Sequence, residues 1–311
     1  MLVSEIADLL GYEVVGTDCE ILGISWPNSA KEKEIAVINR KNDLSSTLAK
    51  VVLTKPIIVQ TKKTLLITFE DIENSFVKIC KILIDNGIMV DYSIPTQYVL
   101  HDSGYYFGKN CRISSKAIIQ PGVMIGDNVT IADDCILEPF VTIGSGTVLE
   151  KGVHIGSGSK IGVPSFYHYY VEEKIMNFNG CGIVKIGVGT SIGCNTIIQR
   201  GTISDTVIGS NSMIGNVIDV GHDVNIGNNC KITSQTGIAG NSCIKDNVLI
   251  YGQVGISNNL VIGNNVVIKG RTIVSKSVDD NEVIYGSFGR KYSDEMKLIA
   301  KARHFFKGKD E

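Results

Sequence analysis

One histidine in this 311-residue chain stands where it could catalyse a reaction. His222 follows Gly221 and lies between Val220 and Ile226, two members of a regular series of aliphatic residues. Imidazole accepts a proton near neutral pH, which is the property of a general base. Gly240 lies eighteen residues further on; its backbone N–H can stabilise an oxyanion, and its missing side chain leaves room for a substrate. The pair predicts a general base beside an oxyanion donor, and a histidine that only faces solvent or a subunit interface is the alternative.

A six-residue repeat must position these two residues. Aliphatic residues recur at every sixth position from Ile113 to Ile161, resume at Ile186, and after a change of phase run from Ile208 to Val274. A period of six does not fit an α-helix, but it fits a short strand followed by a turn, and three such units close a coil of about eighteen residues. The chain is therefore predicted to be mainly β, with a parallel β-helix of about eight coils. In the predicted β-helix, His222 projects outward near a corner, and Gly240 lies one coil away.

The segments outside the repeat predict two further modules. The first hundred or so residues contain periodic apolar residues typical of a small α/β domain. Its predicted elements are a helix capped by Ser4 and ended by Gly11, strands at 51–53, 57–60 and 64–69, and a helix over 71–86. Ser293 is predicted to cap a short C-terminal helix. The predicted domains are an α/β nucleotide-binding-like domain at 1–104, a β-helix at 105–285 and a helical extension at 286–311.

An aromatic insertion interrupts the repeat between Ile161 and Ile186. Residues 165–170 read SFYHYY and do not fit the six-residue pattern. Insertions in repeat proteins often form a loop on one face, and such loops often bind ligands. The insertion therefore predicts either a binding loop or a loop that packs on its own coil or on a neighbouring subunit.

Composition excludes several classes of protein. The net charge of −2 gives no basic surface for nucleic acid, and no apolar run is long enough to cross a bilayer. The N-terminus lacks the pattern of a signal peptide, so a cytoplasmic location is expected. The eight cysteines form no CxxC pair and no zinc-binding cluster. Cys111, Cys135 and Cys230 take the small inward position of the repeat, which predicts free structural thiols and no metal site.

Two adjoining segments resemble a known enzyme family. Segment 192–209, IGCNTIIQRGTISDTVIG, and segment 220–227, VGHDVNIG, resemble the signature of the UDP-3-O-acylglucosamine N-acyltransferases. Segments 4–11 and 36–41 resemble the uridine-binding domain of the same family. The resemblance spans nearly the whole chain, and it implies that the β-helix is left-handed.

The resemblance also implies roles for individual residues. His222 matches the family's general base, and Gly240 matches the glycine whose amide forms the oxyanion hole. Three substrate-binding positions are implied: Asn39 matches an asparagine that contacts the nucleotide, Phe166 matches a position in the aromatic insertion, and Asn259 aligns with a second family histidine.

The chain departs from the family pattern at several substrate-binding positions. Ala36 stands where the family has an aromatic residue that stacks on uracil. Losing that contact area should weaken or redirect recognition of the base. Family aspartates are replaced at three further positions, which are Pro164, Gln199 and Gly215. The departures concern the identity of the substrate more than the catalytic chemistry.

The resemblance implies an N-acyltransferase that acts without a metal or a bound cofactor. It would move an acyl group from a pantetheine thioester, carried by acyl carrier protein or coenzyme A, to the amine of a nucleotide-linked amino sugar, as in lipid A biosynthesis. Asp219 and Asp223 are both candidates to orient the imidazole. A homotrimer is implied. The predicted C-terminal helix bears Lys301, Arg303 and Lys307, which predict either a solvated charged face or a surface that receives acyl carrier protein. The alternatives are an acetyl-CoA-dependent amino-sugar N-acetyltransferase for surface polysaccharide and a non-catalytic β-helix scaffold.

Overall fold

The computed structural model describes residues 1–38, 47–56, 61–92, 96–171, 173–286 and 291–307. The helices in these ranges are α1 (Val3–Leu10), α2 (Ile72–Asp85) and α3 (Tyr292–Lys307). The strands before the repeat are β1 (Glu13–Val15), β2 (Gly23–Ser25), β3 (Glu34–Val37), β4 (Val51–Thr54) and β5 (Thr64–Ile67).

The remaining strands follow the repeat and its insertion. They are β6 (Val99–Leu100), β7 (Tyr106–Phe107), β8 (Arg112–Ile113), β9 (Ile118–Ile119), β10 (Met124–Ile125), β11 (Thr130–Ile131), β12 (Ile136–Leu137), β13 (Thr142–Ile143), β14 (Val148–Leu149), β15 (His154–Ile155), β16 (Lys160–Val163), β17 (Tyr167–Val171), β18 (Lys174–Phe178), β19 (Val184–Ile186), β20 (Ser191–Ile192), β21 (Ile197–Gln199), β22 (Thr206–Ile208), β23 (Met213–Ile214), β24 (Asp219–Val220), β25 (Asn225–Ile226), β26 (Lys231–Ile232), β27 (Gly237–Ile238), β28 (Cys243–Ile244), β29 (Leu249–Ile250), β30 (Gly255–Ile256), β31 (Val261–Ile262), β32 (Val267–Ile268), β33 (Ile273–Val274) and β34 (Val283–Ile284).

The N-terminal part folds as a small α/β unit. Its sheet has the order β1-β5-β4-β3-β2, with β1 antiparallel to β5 and the other pairs parallel. Helices α1 and α2 contribute Ile6 and Phe76 to a core that includes Leu53 and Leu66 of the sheet. These apolar residues lie at helical and alternating spacing, so each element buries one face. The predicted strand at 57–60 lies outside the described residues.

The predicted capping residues are only partly correct. Gly11 ends α1 in the left-handed conformation with φ 68°, as predicted. Ser4 is not the N-cap, because α1 begins at Val3 and Asp18 accepts hydrogen bonds from both the N–H and the hydroxyl of Ser4 at 3.1 and 2.7 Å. Asp18, from outside the helix, thus satisfies one N–H of the first turn, while the Glu5 side chain accepts the N–H of Leu2 at 2.7 Å. Ser293 is likewise not a cap, since α3 begins one residue earlier, at Tyr292.

The repeat forms a parallel β-helix, so the predicted fold class is confirmed. In the described part of the chain it has three sheets of ten, eight and nine strands, and every pair in them is parallel except β6 with β7. Successive neighbours are eighteen residues apart in most coils, as in the pairing of Ile125 with Ile143. Pairs that span the turn at 201–204 are 22 residues apart, as in the pairing of Ile192 with Ile214. The coils number about nine, slightly more than predicted, because the first and last strands also pair.

The aliphatic positions of the repeat form one continuous core. Residues from Ile125 to Ile268 at these positions are buried, whereas Ile113 and Ile119 at the first coils are half-buried. The small inward positions behave as predicted at Cys135 and Cys230, which are buried, and Cys111 is half-buried; all eight cysteines are free. No described helix is both long and apolar enough to span a bilayer.

The aromatic insertion is a β-hairpin rather than an irregular loop. Strands β17 and β18 pair in antiparallel register from Tyr167 with Phe178 to Val171 with Lys174. The Tyr167 ring contacts Phe76 of α2 at a centroid distance of 5.5 Å, and Tyr169 belongs to the N-terminal core. The hairpin therefore packs between the β-helix and the N-terminal unit. The domain boundaries at 104 and 285 remain predictions.

Candidate functional site

His222 lies at the corner that follows strand β24, and a buried carboxylate holds its ring. Its Nδ1 is 2.7 Å from Oδ2 of Asp223, with 17% of the histidine side chain exposed and none of the aspartate side chain. An ionised carboxylate can only accept a hydrogen bond, so Nδ1 carries the proton and Nε2 keeps a lone pair. This tautomer is the one that a general base needs.

Asp223 is in turn held by the backbone of a neighbouring turn. Its carboxylate accepts hydrogen bonds from the N–H groups of Thr202, Ile203 and Ser204 at 3.0, 3.2 and 2.8 Å. These bonds satisfy a charged group that has no access to water. Of the two aspartates considered from the sequence, Asp223 therefore contacts the imidazole, whereas Asp219 accepts a hydrogen bond from Gln199 at 3.2 Å.

Gly240 lies directly against the imidazole. A Cβ built on Gly240 would be 2.5 Å from Cε1 and 2.6 Å from Nε2 of His222. Real Cβ atoms do not approach other atoms this closely, so the ring could not take this position beside any other residue type. The room left by the glycine is thus filled by the histidine rather than by a substrate.

The backbone N–H of Gly240 lies at a corner position where some coils form a hydrogen bond and others do not. At this position the N–H groups of Asp127, Ser210, Asn216, Asn228 and Asp246 donate to a side-chain oxygen of the next coil. Those of Ser234 and Gly252 have no acceptor among the described residues. The Gly240 N–H donates to no acceptor within the described ranges. A free donor next to a general base is the arrangement that stabilises an oxyanion.

Tyr167 of the hairpin packs on the imidazole edge to face. The two ring centroids are 5.5 Å apart with an interplanar angle of 84°. Burial raises the pKa of the Tyr167 phenol, and the nearby carboxylates of Glu73 and Asp223 raise it further. The phenol is therefore neutral at physiological pH and acts as an apolar cover for His222.

A groove of about 670 Å³ lies between the hairpin and the wall of the β-helix. Its lining is mostly apolar and includes Val163, Pro164, Phe166, Ile175 and Ile197. The exposed fraction of Phe166 is 80%, so its ring is available to a ligand. The predicted substrate-binding residue Phe166 thus lies in a cavity of the size that small-molecule sites have.

Gln199 joins the hairpin to a carboxylate in this groove. Its Oε1 accepts the N–H of Phe166 at 2.9 Å, and its Nε2 donates to Oδ1 of Asp219 at 3.2 Å. His168 also lines the groove. From the sequence, Gln199 is only a position where the chain departs from a family aspartate, and nothing in the repeat points to His168. The hairpin that brings the two residues together does not follow the six-residue repeat, so their proximity could not be predicted.

The other predicted substrate-binding residues are not gathered in the groove. Asn39 lies outside the described residues. Asn259 lies at a corner one coil above the glycine, where its N–H donates to the Gly240 carbonyl at 3.2 Å and its side chain accepts from Asn241 at 2.6 Å. Ala36 is fully buried. Among the residues with a described position, no group of three or more His, Cys, Asp or Glu could hold a metal ion.

Comparison with known proteins confirms the resemblance to hexapeptide-repeat acyltransferases. No protein-family model matches the chain. A segment of 106 residues, 33% of the chain, is 29% identical to the UDP-3-O-acylglucosamine N-acyltransferase of Polynucleobacter asymbioticus and covers 30% of that protein. The UDP-N-acetylglucosamine acyltransferase of Francisella novicida is 27% identical with a TM-score of 0.52, over 60% of this chain and 64% of that one.

A third protein is similar in fold alone. The UDP-N-acetylglucosamine O-acyltransferase of Moraxella catarrhalis is 23% identical with a TM-score of 0.53, over 64% of this chain and 77% of that one. The chain thus spans about a third of the curated relative's length and less than two thirds of the Francisella enzyme's.

Proposed function

We propose that this chain is an acyltransferase that moves an acyl group from a pantetheine thioester to the amine of a UDP-linked amino sugar. The observation that carries the proposal is the contact of His222 with Asp223 on one side and with Gly240 on the other. The names of the similar proteins support the reaction class, because each is an acyltransferase for a UDP-linked glucosamine derivative.

In the proposed reaction His222 acts as the general base. Its Nε2 takes the proton from the acceptor amine as the nitrogen attacks the thioester carbonyl carbon. The carbonyl oxygen becomes negative in the tetrahedral intermediate, and the N–H of Gly240 donates to it. The C–S bond then breaks, and the thiolate leaves with the proton that the imidazole returns. The products are an amide and a free pantetheine thiol.

The groove lined by Phe166, Gln199 and Asp219 is the proposed acceptor site. Asp219 and His222 are three residues apart, so their Cα atoms lie within about 10 Å of each other. The Asp219 carboxylate can only accept hydrogen bonds, which suits a sugar hydroxyl or an amine. The exposed Phe166 ring offers an apolar face to the rest of the acceptor.

O-acylation is the second candidate. The similarity to the Francisella enzyme favours it, because that protein is named for UDP-N-acetylglucosamine, in which the amine is already acetylated. A histidine base can deprotonate a hydroxyl as well as an amine. Participation in lipid A biosynthesis, a homotrimer with sites between subunits, acyl carrier protein as donor and a cytoplasmic location belong to the same proposal.

The test is an acyl-transfer assay with matched acceptors. The purified chain is incubated with UDP-glucosamine, UDP-3-O-acylglucosamine and UDP-N-acetylglucosamine, each with acetyl-CoA and with long-chain acyl carrier protein. Transfer to free amines alone supports N-acylation, whereas transfer to UDP-N-acetylglucosamine supports O-acylation. His222→Ala should lower kcat by about 10²-fold or more. Full activity of this variant would overturn the site, and no transfer to any acceptor would favour a non-catalytic scaffold.

A further inference from the structure

A buried serine connects the N-terminal unit to the turn that holds Asp223 by hydrogen bonds. The hydroxyl of Ser204 is 2.7 Å from the hydroxyl of Ser25 at the end of strand β2. It also accepts the N–H of Trp26 at 3.1 Å. Both serines are nearly fully buried, with exposed fractions of 6% and 5%. Hydrogen bonds in such a site are shielded from water and hold their geometry more firmly than exposed ones.

The backbone of Ser204 contacts Asp223, which in turn contacts His222. The Ser204 N–H donates to Oδ1 of Asp223 at 2.8 Å, and the other carboxylate oxygen is 2.7 Å from Nδ1 of His222. Ser25 and His222 are therefore linked by three consecutive polar contacts, each of 2.8 Å or less. This path crosses from the N-terminal sheet to the corner of the β-helix.

The turn that contains Ser204 leaves little freedom for movement. A Cβ on Gly201 would lie 1.6 Å from the Ser204 carbonyl oxygen, and one on Gly182 would lie 1.9 Å from it. Both glycines therefore let the backbone pack at distances that no other residue allows. In so tight a turn, a displacement of Ser204 must also displace the three N–H groups that surround Asp223.

The N-terminal end of this path lies beside a position that the resemblance assigns to nucleotide binding. Ser25 of β2 is paired with Ala36 of β3. Position 36 is the one at which the family pattern has an aromatic residue that stacks on uracil.

We infer that Ser204 is a positioning residue, which transmits the placement of the N-terminal domain to the His222–Asp223 pair. This inference rests on the proposed function, because it takes His222 as the base. The N-terminal domain then has a second role besides binding a ligand, which is to orient the imidazole. When it is docked, the turn at 201–204 fixes Asp223, and Asp223 fixes the tautomer and the direction of the imidazole. Loss of the docking contact should lower kcat more than it raises KM.

Two variants of the full chain and one matched control test the inference. Ser204→Ala and Ser25→Ala remove the hydroxyls that join the two units. Ser212→Ala removes a fully buried hydroxyl of the same β-helix that also makes two hydrogen bonds, to the Gly227 carbonyl and from the Cys230 N–H. Losing one buried hydrogen bond corresponds to about a tenfold effect. We expect kcat to fall about tenfold in the first two variants, with KM for the acyl donor unchanged, and the control to keep its kcat.

A second measurement separates positioning from general damage. In protein labelled with ¹⁵N-histidine, the Nδ1–H proton of His222 is assigned by its disappearance in His222→Ala. Its resonance should move or broaden in Ser204→Ala and Ser25→Ala but not in Ser212→Ala. An unchanged resonance together with kcat within twofold of the parent chain would overturn the inference. If Ser204→Ala does not fold, Ser25→Ala decides the question. If the parent chain transfers no acyl group, the proposed function fails, yet the resonance still tests the path.

Discussion

At the residue scale, the site depends on how closely the imidazole approaches the neighbouring coil. The His222 ring occupies the space that a side chain at position 240 would take, and it is oriented from the other side by Asp223. The proposed base and the proposed oxyanion donor are therefore adjacent, since glycine at position 240 leaves the space that the ring occupies beside the backbone N–H. A change at this position should affect catalysis before it affects folding.

Gly240→Ala should abolish most of the activity while leaving the β-helix folded. The added methyl group would lie 2.5 Å from the imidazole, so the ring must turn away from Asp223 or from the free N–H. Because misplacement of about 1 Å can cost about 10²-fold in rate, we expect kcat to fall by at least that factor. The matched control is Gly255→Ala, where a Cβ has no neighbour within 4 Å. Equal kcat for the two variants, with equal circular dichroism, would contradict this reading of the site.

At the element scale, the corners of successive coils share one backbone conformation, and one corner residue is poorly suited to it. Residues in the left-handed conformation recur at one corner; they are Asn195, Val217, Gln235, Gln253 and Arg271, with φ between 52° and 63°. The last three form a side-chain ladder, in which Arg271 donates to Gln253 at 2.8 Å and Gln253 donates to Gln235 at 2.7 Å. Val217 interrupts the ladder with a β-branched side chain at φ 55°. This conformation is unfavourable for β-branched residues.

Val217→Asn should therefore stabilise the protein. Asparagine tolerates the left-handed conformation, and removing the strain should raise the free energy of unfolding by about 1 kcal/mol. The side chain is 56% exposed, so little packing is lost. Thermal unfolding followed by circular dichroism measures the change, with Val217→Thr as the control that keeps the β-branch. A midpoint for the asparagine variant at or below that of the threonine variant would refute the strain argument.

Another corner is held by a carboxylate whose effect depends on pH. Glu138 accepts hydrogen bonds from the hydroxyl and the N–H of Ser157 at 2.7 and 2.9 Å and contacts His154 at 2.9 Å. The hydrogen bonds from Ser157, followed by that from His154, lower the pKa of Glu138. A pKa that is lower in the folded state stabilises the fold above the unfolded pKa, and this contribution is lost as the pH falls through the folded value.

Glu138→Gln should consequently lower the melting temperature at pH 7 but progressively less as the pH falls below 4. The carboxylate is partly exposed, so the loss at pH 7 should be no more than about 1 kcal/mol. Melting curves of the variant and the parent chain over this pH range measure the difference. Glu150→Gln, an exposed residue of the same β-helix, serves as the control. A difference that is constant with pH would show that the charge of Glu138 is not the cause.

The same scale shows what the sequence could and could not predict. The six-residue period predicted the coils, the buried aliphatic positions and the neighbourhood of His222 and Gly240, because hydrogen-bonded coils stack residues at fixed spacing. It could not choose between Asp219 and Asp223, since that depends on three backbone N–H groups in the irregular turn at 201–204. The sequence could not predict the groove either, because the hairpin that forms it lies outside the repeat and is positioned by tertiary contacts.

At the scale of the whole molecule, two hydrophobic cores meet at the insertion. The β-helix has its own continuous core, and the N-terminal core recruits Tyr169, Cys181 and Ile203 from the β-helix side. Phe76 lies at the centre of this junction, fully buried, with its ring 5.7 Å from Trp26, 5.5 Å from Tyr167 and 6.3 Å from Phe178. The docking that orients Ser204 therefore depends on an aromatic cluster supplied by both units.

Phe76→Ala should loosen the N-terminal domain without unfolding the β-helix. Removing a fully buried phenylalanine costs about 3–5 kcal/mol. Trp26 is the only tryptophan in the chain, so its fluorescence reports the junction, whereas the circular dichroism signal comes mainly from the coils. In urea, the fluorescence transition of the variant should move to lower concentration while the circular dichroism transition stays close to that of the parent chain. Phe69→Ala, at a position that is 72% exposed, should move neither. If both signals of Phe76→Ala moved together, the two cores would unfold as one cooperative unit, and the N-terminal domain could not adjust its position on a folded β-helix.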